Sequence, residues 1–193
     1  GPLAQAAGHD LNYIALTGVL DAIGRAGQPP AIPLNLIGDY GGGALYLAFG
    51  MVSAILRARI SGAGQVVDTA MLEGAGSLAT MLYGSYAAGS WNLERGTNYL
   101  DSGAPHYDVY RCSDGRYLSI AAIEERFYAD LLARLDIDAK RIPDRADRRN
   151  WPAIREAIGA RIATRTRDEW AAVFADSDAC VAPVLTLAEA PAH

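Results

Sequence analysis

Apolar side chains recur along this chain in distinct rhythms, and the changes of rhythm mark its elements. After the polar cluster Gly8-His9-Asp10, the residues Leu16, Val19, Leu20 and Ile23 fall on one face of a helix, which is expected to be half buried. After Gly38-Asp39-Tyr40-Gly41-Gly42-Gly43 the run from Ala44 to Leu56 is apolar nearly all round and predicts a helix buried on almost every side. Residues 66–70 form a short β-branched run behind Gly62-Ala63-Gly64, the pattern of a strand entered from a turn, and a helix follows to about Ala88. From 89 to 105, Gly, Ser, Asn and Asp replace any period, and the stretch reads as a linker.

A second unit begins with the runs His106 to Arg111 and Tyr117 to Ala121, joined as a hairpin through Ser113-Asp114-Gly115-Arg116. A helix after Glu124 buries Phe127, Leu131, Leu132 and Leu135. Asn150 caps another, with Pro152 in its first turn and Ile154, Ile158 and Ile162 stacked at i+4, and Thr166-Arg167-Asp168-Glu169 reads as a capping box for a third. The closing run Cys180 to Leu185 is a strand whose Pro183 suits only a sheet edge. The organisation expected is therefore 1–88 as part of a larger domain, 89–105 as linker, 106–187 as a small α+β domain and 188–193 as the start of a return segment. No internal repeat is visible.

With 193 residues and 51% hydrophobic composition the chain can bury a substantial core. Its net charge of −5 and scattered basic residues give no nucleic-acid footprint; the densest run, Arg145 to Arg149, reads as a solvated loop. No uninterrupted apolar stretch reaches the roughly 18 to 20 residues of a membrane span, and no basic region followed by an apolar core opens the chain, so a soluble, cytoplasmic protein is expected. Gly1-Pro2-Leu3 has the look of a tag remnant but is read as native. Cys112 and Cys180 stand far apart, outside any CxxC or Cys/His cluster, and neither His106 nor His193 has a ligand partner at i+4, so neither a disulfide nor a metal is assigned.

The chemistry-bearing residues sit at expected helix starts. His9-Asp10 opens one helix and Asp39 another, and a helix N-terminus offers unpaired N–H groups and partial positive charge to an oxyanion or carboxylate. Asp10 and Asp39 equally suit plain N-caps, worth about 1 kcal/mol each, and Glu124-Glu125 suits the acidic first turn of the following helix. The glycine triplet lacks the spacing of a phosphate loop.

Taken with Gly1-Pro2, GHDLNY at 8–13, GDYGGG at 38–43, GAGQVVD at 62–68, YDVY at 107–110 and Ile123-Glu124-Glu125, the chain resembles the family III CoA-transferases, the CaiB/BaiF group, and within it the α-methylacyl-CoA racemases of mycobacterial type. The resemblance covers essentially the whole chain and implies an α/β CoA-transferase family III fold: part of a Rossmann-like large domain, most of whose sheet lies in preceding residues, plus a small α+β domain, in an interlocked homodimer. It implies His9, Asp39 and Glu124 as the catalytic set, with Glu124 supplied by the partner subunit and Asp10 contributing its backbone N–H. It also suggests that Tyr13 touches the thioester arm and that Met71 and Met81 belong to a methionine-lined acyl path. No cofactor is implied, since the substrate itself carries coenzyme A. The transferases share the aspartate but commonly carry another residue at the place of His9, so the histidine points to racemisation.

Inverting a carbon beside a thioester needs a base on one face and an acid on the other. His9 and Asp39 are two such groups, exchanging roles with direction, while Glu124 holds the imidazole in one tautomer. The leading expectation is a racemase that interconverts (2R)- and (2S)-2-methylacyl-CoA through an enolate. The alternatives are a CoA-transferase in which Asp39 is the covalent nucleophile, and a non-catalytic dimerisation module.

Overall fold

The computed structural model describes residues 5–193, so Gly1-Pro2-Leu3 lie outside the described residues. The chain forms two compact units, 1–96 and 97–193.

Among its described residues the first unit is helical. Asp10–Leu16 (α1) and Val19–Ala22 (α2) replace the single helix that the apolar rhythm suggested, because Gly18 takes φ +77° between them and breaks the ladder. Of the proposed apolar stripe only Val19 is buried, and Leu16 is exposed; Ile14, outside the stripe, is fully buried. Leu36–Ala44 is a π-helical segment that runs directly into α3, Leu45–Ser61. Asp39 therefore stands inside a helical stretch, not at its cap. Nine residues of π-helix are rare, and such segments recur at functional sites. Gly41, Gly42 and Gly43 leave the widened turns free of side chains, and α4 (Met71–Leu78) closes onto them: a Cβ on Gly42 would sit 2.5 Å from the backbone nitrogen of Ala75. Thr80–Ala87 forms α5, after a break at Ala79.

Two expectations for this unit are corrected. The helix foreseen as buried on almost every side has no buried residue in α3; Phe49, Val52, Leu56 and Ile60 are all exposed, because nothing among the described residues packs over its outer face. Residues 66–70 form no strand. Val67 rests against α3 at Gly50, but no neighbouring strand offers hydrogen bonds, and Val66 is exposed. A third correction concerns length. Counted as one helix, Leu36–Ser61 spans 26 residues and is long and apolar enough to cross a membrane by length and composition. The search for an uninterrupted apolar run missed it because Asp39, Tyr40 and Ser53 interrupt the sequence without interrupting the helix.

The second unit is α+β. Tyr107–Arg111 (β1) pairs antiparallel with Tyr117–Ala121 (β2), with Tyr107 opposite Ala121 and Arg111 opposite Tyr117, and Gly115 at φ +81° makes the turn. Val181–Pro183 (β3) adds antiparallel to β2 only, so the order is β1-β2-β3 and Pro183 lies on an edge strand. Glu125–Arg134 (α6), Trp151–Ile162 (α7) and Arg167–Phe174 (α8) supply the rest of the core. Ile154, Ile158 and Ile162 are wholly buried at i+4 intervals, beside Leu118, Leu131, Leu135 and Trp170. The α8 capping box is present: Glu169 N–H donates to Thr166 Oγ1 at 3.3 Å and Thr166 N–H to Glu169 Oε2 at 2.8 Å. Asn150 precedes α7 without capping it by side chain, its Nδ2 donating instead to the Asp144 carbonyl.

Composition misleads at two loops of this unit. Ala104 and Pro105, at the end of the stretch read as linker, are fully buried, and Arg155 donates to the carbonyls of Ser102 and Gly103. Arg145 is no solvated loop residue: it donates to the Ala122 carbonyl, pairs with Glu125 at 2.8 Å and lies 4.3 Å over the Tyr128 ring.

His106 is 1% exposed and stands edge-on to Tyr99, Tyr128 and Trp151. Neither ring nitrogen nor the Tyr128 hydroxyl has a hydrogen-bond partner. Burial first, then the Arg145 charge, push its pKa from 6.5 down to about 4, against a smaller opposing pull from Glu125. The folded state thus holds a neutral imidazole while the unfolded chain takes up a proton below about 6.5. Stability tied to His106 is complete above that pH and is lost as pH falls towards 4, up to about 3 kcal/mol in all. Urea midpoints at pH 7, 5.5 and 4.5 check this: the acid limb is expected to flatten in His106→Phe, which also relieves the unpaired nitrogens.

Candidate active site

The residues singled out in the first unit converge through one carboxylate. Asp10 is the first residue of α1, with His9 before it in extended conformation (φ −128°, ψ 179°). The His9 N–H donates to Asn12 Oδ1 at 3.1 Å, and the His9 carbonyl accepts from the N–H groups of Asn12 and Tyr13 at 2.9 and 3.2 Å, so the backbone at His9 is fixed while the residue stays exposed. The Asp10 side chain points the other way, into the unit, and the residue is 5% exposed. Its Oδ2 accepts two backbone N–H groups, from Gly38 at 2.7 Å and from Asp39 at 2.8 Å. Its other oxygen, Oδ1, is buried without a partner. Hydrogen bonds to a charged acceptor contribute about 1.5–3 kcal/mol each, enough to hold the π-helical segment against the start of α1.

Asp39 is half buried, and its Oδ2 accepts from Asn35 Nδ2 at 3.1 Å. Gly38 makes room for the Asp10 carboxylate: a Cβ there would come within 2.5 Å of Asp10 Oδ2. Tyr13 lies about one turn beyond His9, half buried, its ring packed on Gly8. Met71 reaches the backbone of the π segment at Gly43, whereas Met81 is exposed.

Glu124 belongs to the second unit. It occupies the N-cap position of α6 in extended conformation without a side-chain cap bond, and it is exposed. The Cys180 thiol is pushed up in pKa by burial and then by the charges of Glu124 and Asp178, against a smaller pull from Arg126. Both cysteines are free thiols. No group of three metal-binding side chains occurs among the described residues.

Sequence reasoning offered Asp10 a backbone N–H or an N-cap role, whereas the N-cap of α1 is His9 and the Asp10 carboxylate reaches Gly38 and Asp39 instead; Asn35 was passed over. No local signal marks the Asp10–Gly38 bond, because its partners stand 28 residues apart. An apolar cavity of about 290 Å³ lies beyond the far end of α1, lined by Val19, Ala79, Leu82, Tyr83, Tyr86 and Trp91 among others. Its one ionisable acid, Asp21, is paired with Arg95.

The model of CoA-transferase family III matches residues 1–193. The chain belongs to CoA-transferase family III. This family III chain is 42% identical over 193 residues to the α-methylacyl-CoA racemase of Mus musculus, covering all of itself and 51% of the relative, and 40% identical to that of Homo sapiens, covering 50%. It thus spans about half the length of the curated relatives it matches. Among solved structures, a CaiB/BaiF family protein from Brucella suis superposes on the whole chain at TM-score 0.78 and 24% identity, the chain covering 52% of it. That likeness establishes the family III fold for the two units described above.

Proposed function

We propose that the complete protein is an α-methylacyl-CoA racemase, interconverting (2R)- and (2S)-2-methylacyl-CoA by 1,1-proton transfer. The observation that carries this reading is the Asp10 carboxylate, which bonds the backbone of Asp39 to the residue next to His9, so that a base and an acid are held on one scaffold. Whole-chain identity of 40–42% to two proteins named for this activity supports it.

In the proposed cycle the thioester α-carbon lies between His9 and a protonated Asp39. His9 removes the proton, the C–H electron pair becomes the enolate double bond, and negative charge collects on the thioester oxygen. The Asp10 N–H, at a helix position with no acceptor one turn earlier, is the donor for that oxygen. Asp39 then returns a proton to the opposite face. The reaction is balanced as a proton shift, and it resets when His9 loses and Asp39 regains a proton. Glu124 orients the imidazole. In this reading it comes from the partner subunit of an interlocked homodimer, while Tyr13 flanks the thioester arm. The substrates are branched fatty-acyl or sterol side-chain thioesters, no cofactor is needed beyond the coenzyme A they carry, and the enzyme works in the cytoplasm without spanning a membrane.

The test is α-proton exchange. In heavy water, the complete enzyme is expected to exchange the α-proton of a 2-methylacyl-CoA while the epimer ratio moves towards unity. Transfer of CoA to an added carboxylic acid without exchange, with CoA trapped on Asp39, would replace this reading by the transferase one.

A further inference from the structure

We infer that the Asp10 side chain is a positioning residue: its carboxylate sets where Asp39 stands relative to His9, independently of the N–H that the same residue presents to substrate. The inference rests on the reading that Asp39 is the reacting acid. It is carried by four observations. Oδ2 accepts both the Gly38 and the Asp39 N–H, at 2.7 and 2.8 Å. The carboxylate is buried, the residue being 5% exposed. Gly38 is the residue whose missing Cβ makes room for that oxygen. The bonds join the first residue of α1 to the first turn of a π-helical segment, where the leading N–H groups have no acceptor within the helix and an outside one fixes the geometry.

Both bonds fall on a single oxygen, and this separates geometry from charge. Asparagine can place its carbonyl oxygen at the same point and accept both N–H groups, leaving its amide nitrogen where Oδ1 now lies unpartnered. Alanine leaves two buried donors orphaned. All these substitutions keep the backbone N–H of position 10.

The test uses the complete enzyme. Asp10→Ala is expected to lower kcat about 100-fold with KM changed by less than about threefold, since a catalytic group displaced by about 1 Å costs on that order. Asp10→Asn is expected to recover most of that loss. Gly38→Ala, which leaves Asp10 in place but crowds Oδ2, is expected to resemble Asp10→Ala and serves if Asp10→Ala does not fold. Amide hydrogen exchange gives a readout without turnover: protection of Gly38 and Asp39 is expected to fall at least about tenfold in Asp10→Ala and to return in Asp10→Asn. Unchanged kcat in a folded Asp10→Ala or Gly38→Ala enzyme, or equal damage by Ala and Asn, would overturn the inference. If the wild type transfers CoA and exchanges no α-proton, the racemase reading fails alone, and the same contrast measured on transfer still decides the role of Asp10.

Discussion

His9→Ala in the complete enzyme is expected to reduce epimerisation of a 2-methylacyl-CoA, and α-proton exchange from the epimer that His9 deprotonates, by about 10²–10⁴-fold, the range of a removed general base. The loss is chemical in origin. Position 9 uses its backbone for structure, with its N–H on Asn12 and its carbonyl receiving Asn12 and Tyr13, and alanine keeps all three bonds. The side chain is exposed, so truncation opens no cavity, and the change in urea midpoint is expected to be small. Because the two faces of the α-carbon are served by different groups, epimerisation should fall in both directions, whereas exchange should be lost from the epimer that His9 deprotonates and persist from the one that Asp39 deprotonates. The measurement is deuterium incorporation by mass spectrometry from each pure epimer. A His9→Ala enzyme that epimerises at the wild-type rate would remove His9 from the reaction, and one that loses epimerisation but moves CoA to a carboxylic acid would identify Asp39 as a nucleophile.

What the sequence discloses and what it hides divide along the range of the interactions. The β1–β2 hairpin, the buried isoleucine stripe of α7 and the Thr166–Glu169 capping box depend on residues a few positions apart, and each appears where the pattern places it. Pro183 announces an edge because proline lacks a donor wherever it sits. Failures begin where the partner is distant. Residues 66–70 have the composition of a strand, but a strand exists only beside another, and none is there. The rhythm of α3 correctly says that its faces are apolar and says nothing about what covers them; in a chain about half as long as its relatives they are exposed. His106 carries no local sign of burial, since its cage of Tyr99, Tyr128 and Trp151 is assembled from three separate segments.

The candidate site follows the same division. His9, Asp10 and Asp39 stand out as polar residues in front of apolar runs, and the family resemblance raises them above ordinary caps. Their mutual placement was not legible. Asp39 lies inside a π-helix, a form that single-residue propensities do not anticipate, and the carboxylate that anchors it comes from 29 residues upstream. The glycine triplet, read as a failed phosphate motif, has another purpose: it strips the π segment of side chains so that α4 can pack against backbone.

That packing yields the second large effect. Gly74→Ala is expected to destabilise the first unit by about 3 kcal/mol or more, at or beyond the upper end of ordinary overpacking. A Cβ on Gly74 would overlap the Gly42 carbonyl oxygen and stand 2.6 Å from its carbonyl carbon and 2.7 Å from its Cα. These are backbone atoms, which cannot swing aside as a side chain would. Gly42 in turn has no slack, since it touches the backbone of Gly74 and Ala75 on the opposite side of the same contact. The conflict is resolved only by separating α4 from the π segment, and that motion carries Asp39 with it. Catalysis is therefore expected to fall by about 100-fold in whatever fraction remains folded, because a displacement near 1 Å at a reacting group costs on that order. Gly84→Ala is the control: a Cβ there meets nothing within 4 Å, and α5 gains a better helix former. Urea denaturation of both variants, with exchange assayed on the folded material, separates the two parts of the effect. Wild-type stability in Gly74→Ala would mean that α4 and the π segment are not in backbone contact, and with it the positioning of Asp39 would need another source.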